Sequence, residues 1–201
     1  MKQRLIIIGA SGHGRVVADI AVLNGYTDIV FLDDKKIGTW AGYSIVGKSF
    51  DAPEGDLFVA IGNTPTRKRF VEYYRDRSMP VLIHPNATVA KDVEIGAGTV
   101  VIAGAVINCG AKIGAGCIIN TCSSVDHDCV ISDYVHVAVG AHLCGTVNVG
   151  QKTLIGAGAT VINNINIGEG CLIGAGAVVV KGIPAKCMAV GCPAKVIKLL
   201  S

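Results

Sequence analysis

The chain has 201 residues, a hydrophobic fraction of 51%, a charged fraction of 16% and a formal net charge of +3. This composition excludes a disordered chain and leaves no basic excess for binding nucleic acid. A membrane span needs about 18 consecutive apolar residues, and no apolar run is that long. The first residues also lack the apolar region of a secretory signal. We therefore expect a cytoplasmic protein without a membrane span, whose eight cysteines are reduced.

Residues 1–82 predict a small α/β domain. The pattern predicts buried strands at 5–8, 29–32 and 57–61, with helices at 15–24 and 67–77. Strands that alternate with helices are typical of a parallel sheet. Charge marks the domain boundary, because residues 83–184 hold only 10 of the charged residues and the rest of the chain holds 23.

A glycine turn joins the first predicted strand to the first predicted helix, in the sequence Gly9-Ala10-Ser11-Gly12-His13-Gly14. Glycines at such a point let backbone N–H groups and the helix N-terminus face an anion, typically a phosphate. Asp33 ends the second predicted strand, where a carboxylate can accept hydrogen bonds from a ribose. The spacing is GxxGxG and departs from the NAD-binding GxGxxG, so it predicts a nucleotide but not NAD. A tight turn without a ligand is the alternative.

From residue 83 to residue 184 an aliphatic residue recurs at every sixth position, seventeen times without a break, from Ile83 to Val179. The fifth position of each hexad, beginning at Ala87, is small or branched. A period of six suits a short strand and a turn, with three faces closing a coil of about 18 residues. The repeat therefore predicts a parallel β-helix of about five to six coils, roughly 27 Å tall. Tyr134 is its only aromatic residue, as a narrow core requires.

His127 is the histidine that most suggests chemistry, because Asp126 and Asp128 flank it in a charge-poor stretch. A neighbouring carboxylate raises the basicity of an imidazole and fixes its tautomer, which suits a general base. An exposed polar turn is the alternative. The spacing of His127 to His136 and His142 does not fit a three-histidine zinc site, and the cysteines form no CxxC pair, so we predict no metal. The repeat frame places Cys117, Cys129 and Cys171 in the core, because each occupies the inward fifth position of its hexad.

Further motifs occur along the whole chain: Asp33-Asp34, Ala60-Ile61-Gly62-Asn63, Asn120-Thr121, His127-Asp128-Cys129, His136-Val137 and Gly191-Cys192-Pro193-Ala194-Lys195. Together with the glycine turn they resemble the NeuD/PglD-type sugar acyltransferases, members of the hexapeptide-repeat superfamily with a left-handed β-helix. The resemblance implies a Rossmann-like nucleotide-sugar-binding domain at 1–82 and a left-handed β-helix acyltransferase domain with a C-terminal cap at 83–201. It also implies a homotrimer with active sites between subunits, acetyl-CoA as the donor, and a UDP-linked 4-amino-4,6-dideoxy sugar as the typical acceptor.

The resemblance further implies a role for individual residues. His127 would be the general base, and Asp128 would stabilise its imidazolium where the family often has glutamate. The residues that would bind the nucleotide sugar are Ser11, Gly12, His13, Asp33, Asp34, Gly62, Asn63 and, near the sugar, Asn120. Those that would bind the coenzyme are His136, Gly156, Ala157, Gly174 and Ala175.

Three functions follow in order of preference. The first is an acetyl-CoA-dependent N-acetyltransferase that acts on a nucleotide-linked amino sugar. The second is an O-acetyltransferase for a sialic-acid-type sugar, because the same fold and base would serve a hydroxyl. The third is a noncatalytic nucleotide-sugar-binding scaffold trimer, which the His127-Asp128 pair disfavours because a scaffold needs no base.

Overall fold

A computed structural model describes residues 4–200, which form two compact units that divide between His84 and Pro85. The sequence predicts this boundary between residues 82 and 83. In the stretch from residue 4 to residue 200, no helix is both long and apolar enough to cross a membrane.

The first unit is a five-stranded sheet with two helices. Its elements in chain order are β1 (Leu5–Ile8), α1 (Gly12–Leu23), β2 (Ile29–Leu32), β3 (Gly38–Trp40), β4 (Tyr43–Gly47), β5 (Asp56–Val59), α2 (Thr64–Tyr73) and the short β6 (Leu82–Ile83). The sheet order is β3-β4-β2-β1-β5, parallel except for the antiparallel β3–β4 pair. Strands β1 and β2 are buried along their whole length, as continuous aliphatic runs in parallel sheets are.

The predicted parallel sheet is confirmed, but several boundaries differ. Helix α1 begins three residues earlier than expected, at Gly12, because Ser11 caps it through its hydroxyl. Helix α2 begins at Thr64 because Asn63 caps it and a proline occupies the first turn. The β3–β4 hairpin was not predicted, since its short strands are exposed or half-buried and carry no aliphatic run.

The second unit is a parallel β-helix whose strands form three sheets. The β13 sheet contains β7 (Thr88–Val89), β10 (Val106–Ile107), β13 (Ser124–Val125), β16 (His142–Leu143), β19 (Thr160–Val161) and β22 (Val178–Val179). The β14 sheet contains β8 (Glu94–Ile95), β11 (Lys112–Ile113), β14 (Val130–Ile131), β17 (Asn148–Val149) and β20 (Asn166–Ile167). The β15 sheet contains, in this unit, β9 (Val100–Val101), β12 (Ile118–Ile119), β15 (His136–Val137), β18 (Leu154–Ile155), β21 (Leu172–Ile173), β23 (Cys187–Val190) and β24 (Lys195–Leu199).

Strands of successive coils pair in a register that matches the predicted coil length. Val125 pairs with Leu143, and Ile119 pairs with Val137, so partners are one coil of three hexads apart. The aliphatic first position and the small fifth position both point inward, as Val125 and Cys117 show by being fully buried. The β-helix prediction is therefore confirmed, and Cys117, Cys129 and Cys171 lie in its core.

Two edges of the β-helix carry the residues of interest. We call the turns at 120–122, 138–140, 156–158 and 174–176 the Asn120 edge, since they follow β12, β15, β18 and β21 and lead into the β13 sheet. We call the turns at 108–110, 126–128, 144–146 and 162–164 the His127 edge, since they follow β10, β13, β16 and β19 and leave that sheet. The two edges therefore border the β13 sheet on opposite sides.

Candidate active site

The glycine turn folds tightly at the start of α1. Ser11 accepts a hydrogen bond from the Gly14 N–H at its hydroxyl, and Arg15 N–H donates to the Ser11 carbonyl. The N–H groups of Gly12 and His13 lie in the first helical turn, where the helix itself provides no acceptor. They are therefore placed to receive an anion such as a phosphate.

Asp33 fixes this turn to the end of β2. Its Oδ2 accepts from Ala10 N at 2.9 Å, and its Oδ1 accepts from the N–H groups of Lys35 and Lys36, each at 2.9 Å. Burial alone would raise the pKa of Asp33, but the three N–H donors and the Lys36 ammonium together hold that pKa below its usual value. Both carboxylate oxygens of Asp33 are thus engaged by the backbone.

Asp34 differs from Asp33 in its free hydrogen-bonding capacity. Its Oδ1 accepts from Ser49 N at 2.9 Å. Its Oδ2 has no hydrogen bond within residues 4–200, and the residue lines a cleft at this edge of the sheet. Asp33, the predicted ribose ligand, therefore shapes the turn, whereas Asp34, predicted only to bind the nucleotide sugar, has the open acceptor.

Lys36 and Trp40 also hold the glycine turn, by donating hydrogen bonds to its carbonyl groups. The sequence analysis did not single out either residue. Lys36 Nζ donates to the Ala10 carbonyl at 2.6 Å and lies 3.4 Å from the centroid of the Trp40 ring. Trp40 Nε1 donates to the Ser11 carbonyl at 3.4 Å. Because Trp40 is the only tryptophan of the chain, its rarity was the one signal available.

His13 feels the charge of Arg67, a third residue that the sequence analysis missed. Arg67 is 1% exposed and donates to the carbonyls of Ile61 at 3.0 Å and Gly62 at 2.9 Å. Burial, and secondarily the charge of Arg67, lower the pKa of His13 to about 4. Within the described chain, His13 Nε2 is the buried side-chain polar atom that lacks a hydrogen-bond partner. His13 is therefore a neutral imidazole at neutral pH.

A cleft of about 350 Å³ collects part of the predicted nucleotide site. Its lining includes the predicted residues Ser11, Asp33, Asp34 and Gly62, beside Gly9, Lys35, Ser49, Ala60, Ile61, Thr66 and Phe70. Asn63 is not in this lining, because its side chain caps α2 by accepting from Thr66 N at 3.1 Å. The cleft has the size of a small-molecule site.

His127 and Asp128 form a hydrogen-bonded dyad on the His127 edge. His127 Nδ1 lies 2.9 Å from Asp128 Oδ2, and the two side chains are 50% and 64% exposed. Because a carboxylate only accepts, the proton lies on Nδ1 and Nε2 carries a free lone pair. Asp128 adopts a left-handed backbone with φ 58°, and its N–H donates to the Cys109 carbonyl at 3.0 Å.

The surroundings of the dyad make His127 more basic. The hydrogen bond to Asp128 raises the pKa of His127, desolvation lowers it slightly, and the charges of Asp126 and Asp128 raise it further. Asp126 is held by Asn108, whose Nδ2 donates to its Oδ1 at 2.7 Å, and this bond lowers the pKa of Asp126. The arrangement can accept a proton at Nε2 of the half-exposed side chain.

Asn120 and His136 meet beside the Asn120 edge. Asn120 Nδ2 lies 3.1 Å from His136 Nε2, and Asn120 Oδ1 accepts from Thr121 N at 2.8 Å. The predicted coenzyme residues stack along the same edge in consecutive coils, with Ala157 and Ala175 exposed. Gly156 and Gly174 precede them, and a Cβ on Gly156 would overlap the next coil, so this glycine is required by the stacking.

A single chain does not bring the two groups together. His127 and Asp128 lie on one edge of the β13 sheet, while Asn120 and the residues at 156–157 and 174–175 lie on the other. His136 adjoins the Asn120 edge and not the dyad. Across residues 4–200, no group of three or more histidine, cysteine, aspartate or glutamate side chains is arranged to hold a metal ion.

Comparison with known proteins relates this arrangement to sugar-modifying enzymes. Residues 4–74 match the family model of the PglD N-terminal domain. The chain is 33% identical over 166 residues to GDP-perosamine N-acetyltransferase of Escherichia coli O157:H7. That alignment covers 75% of this chain and 74% of that protein. The chain is 38% identical over 113 residues to UDP-N-acetylbacillosamine N-acetyltransferase of Bacillus subtilis strain 168, covering 50% of this chain and 52% of that protein. The match thus spans about half the length of the Bacillus relative.

The fold is also similar to a solved structure. The acetyltransferase domain of PglB from Neisseria gonorrhoeae FA1090, in complex with acetyl coenzyme A, superposes with a TM-score of 0.95 at 40% sequence identity. The superposition covers 98% of this chain and 100% of that domain. Both units therefore have counterparts in one known enzyme domain.

Proposed function

Because this chain belongs to the NeuD/PglD-type family of sugar acyltransferases, we propose that it transfers the acetyl group of acetyl-CoA to the amino group of a nucleotide-linked sugar. The observation that carries the proposal is the 2.9 Å contact between His127 Nδ1 and Asp128 Oδ2, which leaves Nε2 as an exposed base. The acceptor we propose is a UDP-linked 4-amino-4,6-dideoxy sugar, and the assembly is a homotrimer. The relatives support an amino sugar, one with UDP and one with GDP in its name.

The first unit binds the nucleotide part of the acceptor. The N–H groups of Gly12 and His13 receive the phosphates at the start of α1. Asp34 Oδ2 accepts from the ribose hydroxyls, since Asp33 is already engaged by three backbone donors. Neutral His13 adds a hydrogen-bonding group without adding charge.

The second unit supplies the base and the coenzyme groove, by which we mean the surface along the Asn120 edge at residues 156–157 and 174–175. An amine at neutral pH is largely an ammonium ion and must lose a proton before it can attack a thioester. The free amine attacks the acetyl carbon, and His127 Nε2 takes a second proton from the nitrogen as that bond forms, while Asp128 stabilises the imidazolium. The C–S bond then breaks, and coenzyme A leaves with its sulfur electrons and takes up a proton. General-base help of this kind is worth about 10²–10⁴-fold.

Acetyl transfer to a panel of sugars tests the proposal. UDP-, GDP-, dTDP- and CMP-linked sugars, each as an amino sugar and as its hydroxyl counterpart, are incubated with acetyl-CoA, and free coenzyme A is measured together with the acetylated product. We expect transfer to an amino sugar, with the UDP series preferred. Transfer confined to hydroxyl sugars would favour the sialic-acid-type O-acetyltransferase, and binding without any transfer would favour the scaffold.

The separation of the two edges predicts an oligomer. If His127 of one chain is to act on coenzyme held at an Asn120 edge, a neighbouring chain must supply that edge, because the β13 sheet separates the two within one chain. In a trimer with threefold symmetry, the His127 edge of each chain would face the Asn120 edge of its neighbour. We expect a mass near three times 20.7 kDa by light scattering at micromolar concentration. A monomer that is fully active would contradict the shared site.

Mixed oligomers test the shared site more sharply. His127→Ala removes the base, and Ala175→Trp fills the coenzyme groove at an exposed alanine. Each variant alone should be nearly inactive. Mixing them through unfolding and refolding should restore activity, because one chain's intact His127 then meets another chain's intact Asn120 edge. Mixtures as inactive as the separate variants would place both halves of the site on the same chain.

Asp128→Asn should move the pH profile of the reaction. The bond to Asp128 raises the pKa of His127, and a protonated base is inactive, so kcat/KM falls on the acid side around that raised pKa. Removing the carboxylate lowers the pKa, and the acid limb should shift to lower pH while kcat falls by less than in His127→Ala. The profile is measured from pH 5 to pH 9 with saturating acetyl-CoA, with Asp133→Asn, which lies on another turn, as the control. An acid limb that stays in place would contradict the role of Asp128.

A further inference from the structure

We propose that Gly145 is a positioning residue for the reaction, because its missing side chain forms the slot that holds the His127 imidazole. This inference rests on the proposed function only in taking His127 as the base. Gly145 lies one coil after His127 on the His127 edge, since Val125 pairs with Leu143 in the adjacent strands. The ring therefore stands over the backbone of the following coil.

The contact between the ring and Gly145 leaves no room for a side chain. A Cβ built on Gly145 would lie 3.1 Å from His127 Cδ2 and closer still to Cε1 and Nε2. Non-bonded carbon atoms are in favourable contact at about 3.5–4.0 Å, so even one methyl group would overlap the ring. The atom that would be most crowded is Nε2, which must accept the proton.

The backbone around this contact is held by main-chain hydrogen bonds between coils, whereas the ring is held by one side-chain contact, to Asp128. Thr146 N–H donates to the His127 carbonyl at 2.9 Å, and Asn164 N–H donates to the Gly145 carbonyl at 3.1 Å. These bonds fix both coils at the ordinary spacing of a sheet. The His127 side chain is half exposed and is held by its contact with Asp128, so its torsion angles can change at less cost than the backbone of the coil can. An alanine at 145 would therefore move the imidazole and not the coil.

Moving the ring has two consequences for the chemistry. The Nδ1 contact to Asp128 Oδ2 at 2.9 Å would be lost, and with it the main cause of the raised pKa. Nε2 would also leave the position from which it meets the amine. A misplacement of about 1 Å at a reacting group can cost about 10²-fold in rate.

Gly110, on the preceding coil, has the same relation to Asp128. A Cβ there would overlap Asp128 Oδ1, so the dyad lies between two glycines of its own edge. Gly110 has φ +71°, where any side chain is strained, and its replacement would mix strain with displacement. Gly145 is not among the residues of positive φ and gives the cleaner test.

The test compares Gly145→Ala with Gly182→Ala. Gly182 also lies in the β-helix without a positive φ, and a Cβ there would meet only the Asn166 carbonyl, at 3.3 Å. We expect kcat about 10²-fold lower in Gly145→Ala, with the KM for acetyl-CoA within about twofold of wild type. A kcat equal to that of Gly182→Ala would overturn the proposal.

Two further measurements separate displacement of the ring from general damage. An NMR titration of the His127 imidazole should show its pKa lowered in Gly145→Ala and unchanged in Gly182→Ala, whether or not the enzyme turns over. In a double-mutant cycle, Gly145→Ala should cost little once His127 is alanine, because the group it displaces is gone. The proposal would be overturned if the His127 pKa were unchanged in Gly145→Ala, or if Gly145→Ala lowered kcat equally in the wild-type and His127→Ala backgrounds.

The slot and the proposed function fail in different ways. If His127→Ala keeps the wild-type kcat, the base has been assigned to the wrong residue. If His127→Ala is inactive while Gly145→Ala keeps the wild-type kcat and the wild-type imidazole titration, only the slot is wrong.

Discussion

Replacing His127 with alanine is expected to lower kcat by about 10²–10⁴-fold at neutral pH. The imidazole acts on a proton that moves only during attack, so the binding of acetyl-CoA and the oligomeric state should hardly change. The side chain is half exposed and bonds only to Asp128 on the surface, so its loss should also leave thermal unfolding nearly unchanged. Steady-state kinetics and calorimetry on the same preparation measure both. A wild-type kcat in the variant would reject His127, and His136 would be examined next.

The pH dependence of the same variant identifies the group that is acetylated. With an amine acceptor, raising the pH deprotonates a larger fraction of the substrate and should partly restore the rate of His127→Ala. With a hydroxyl acceptor no such rescue is expected below about pH 10, because an alcohol stays protonated there. A flat rate between pH 7 and pH 9.5 would therefore contradict N-acetylation.

Replacing Gly12 with valine is expected to raise the KM for the nucleotide sugar by about 10- to 100-fold, the loss of about 1.5–3 kcal/mol in hydrogen bonds to a charged group. A Cβ on Gly12 has nothing within 4 Å, so the chain should fold and the side chain should enter the space where a phosphate approaches the first-turn N–H groups. The KM for acetyl-CoA should stay near the wild-type value. A change confined to acetyl-CoA would show that the first unit binds a different ligand.

Gly14→Ala is the matched control for Gly12→Val, two residues along the same turn. A Cβ on Gly14 would overlap the Gly9 carbonyl and lie 3.0 Å from Phe31 Cε1. Overpacking of this kind costs about 1–3 kcal/mol, so this variant should lose thermal stability. We therefore expect Gly12→Val to raise the KM for the nucleotide sugar without lowering thermal stability, and Gly14→Ala to lower thermal stability.

Several features could be predicted from the sequence because they depend on local order or on periodic burial. The recurrence of an aliphatic residue from Ile83 to Val179 determined the β-helix, since only inward positions must be apolar. The glycine turn after Leu5–Ile8 determined that a strand ends there and a helix follows. His127 and Asp128 are neighbours in the chain, so their pairing was also a local property.

Other features depend on contacts between distant residues, and only the tertiary structure decided them. Its place at the end of a strand favours Asp33 as the ribose ligand, but three N–H donors from two loops engage Asp33 and leave an oxygen of Asp34 open. Arg67 is far from His13 in the chain, yet its charge and the burial of the imidazole keep His13 neutral.

The β-helix shows the same division within a single repeat. The period of six predicts that residues one coil apart are neighbours, but not which way a half-exposed side chain turns. The imidazole of His127 lies over Gly145. The backbone hydrogen bonds fix the spacing of the coils but do not fix the side-chain torsion angles of His127. The closing of three faces also puts the His127 edge and the Asn120 edge on opposite sides of the β13 sheet. The order of hexads determined the fold, whereas the closure of the coil decided that the His127–Asp128 pair and the predicted coenzyme residues of one chain lie apart.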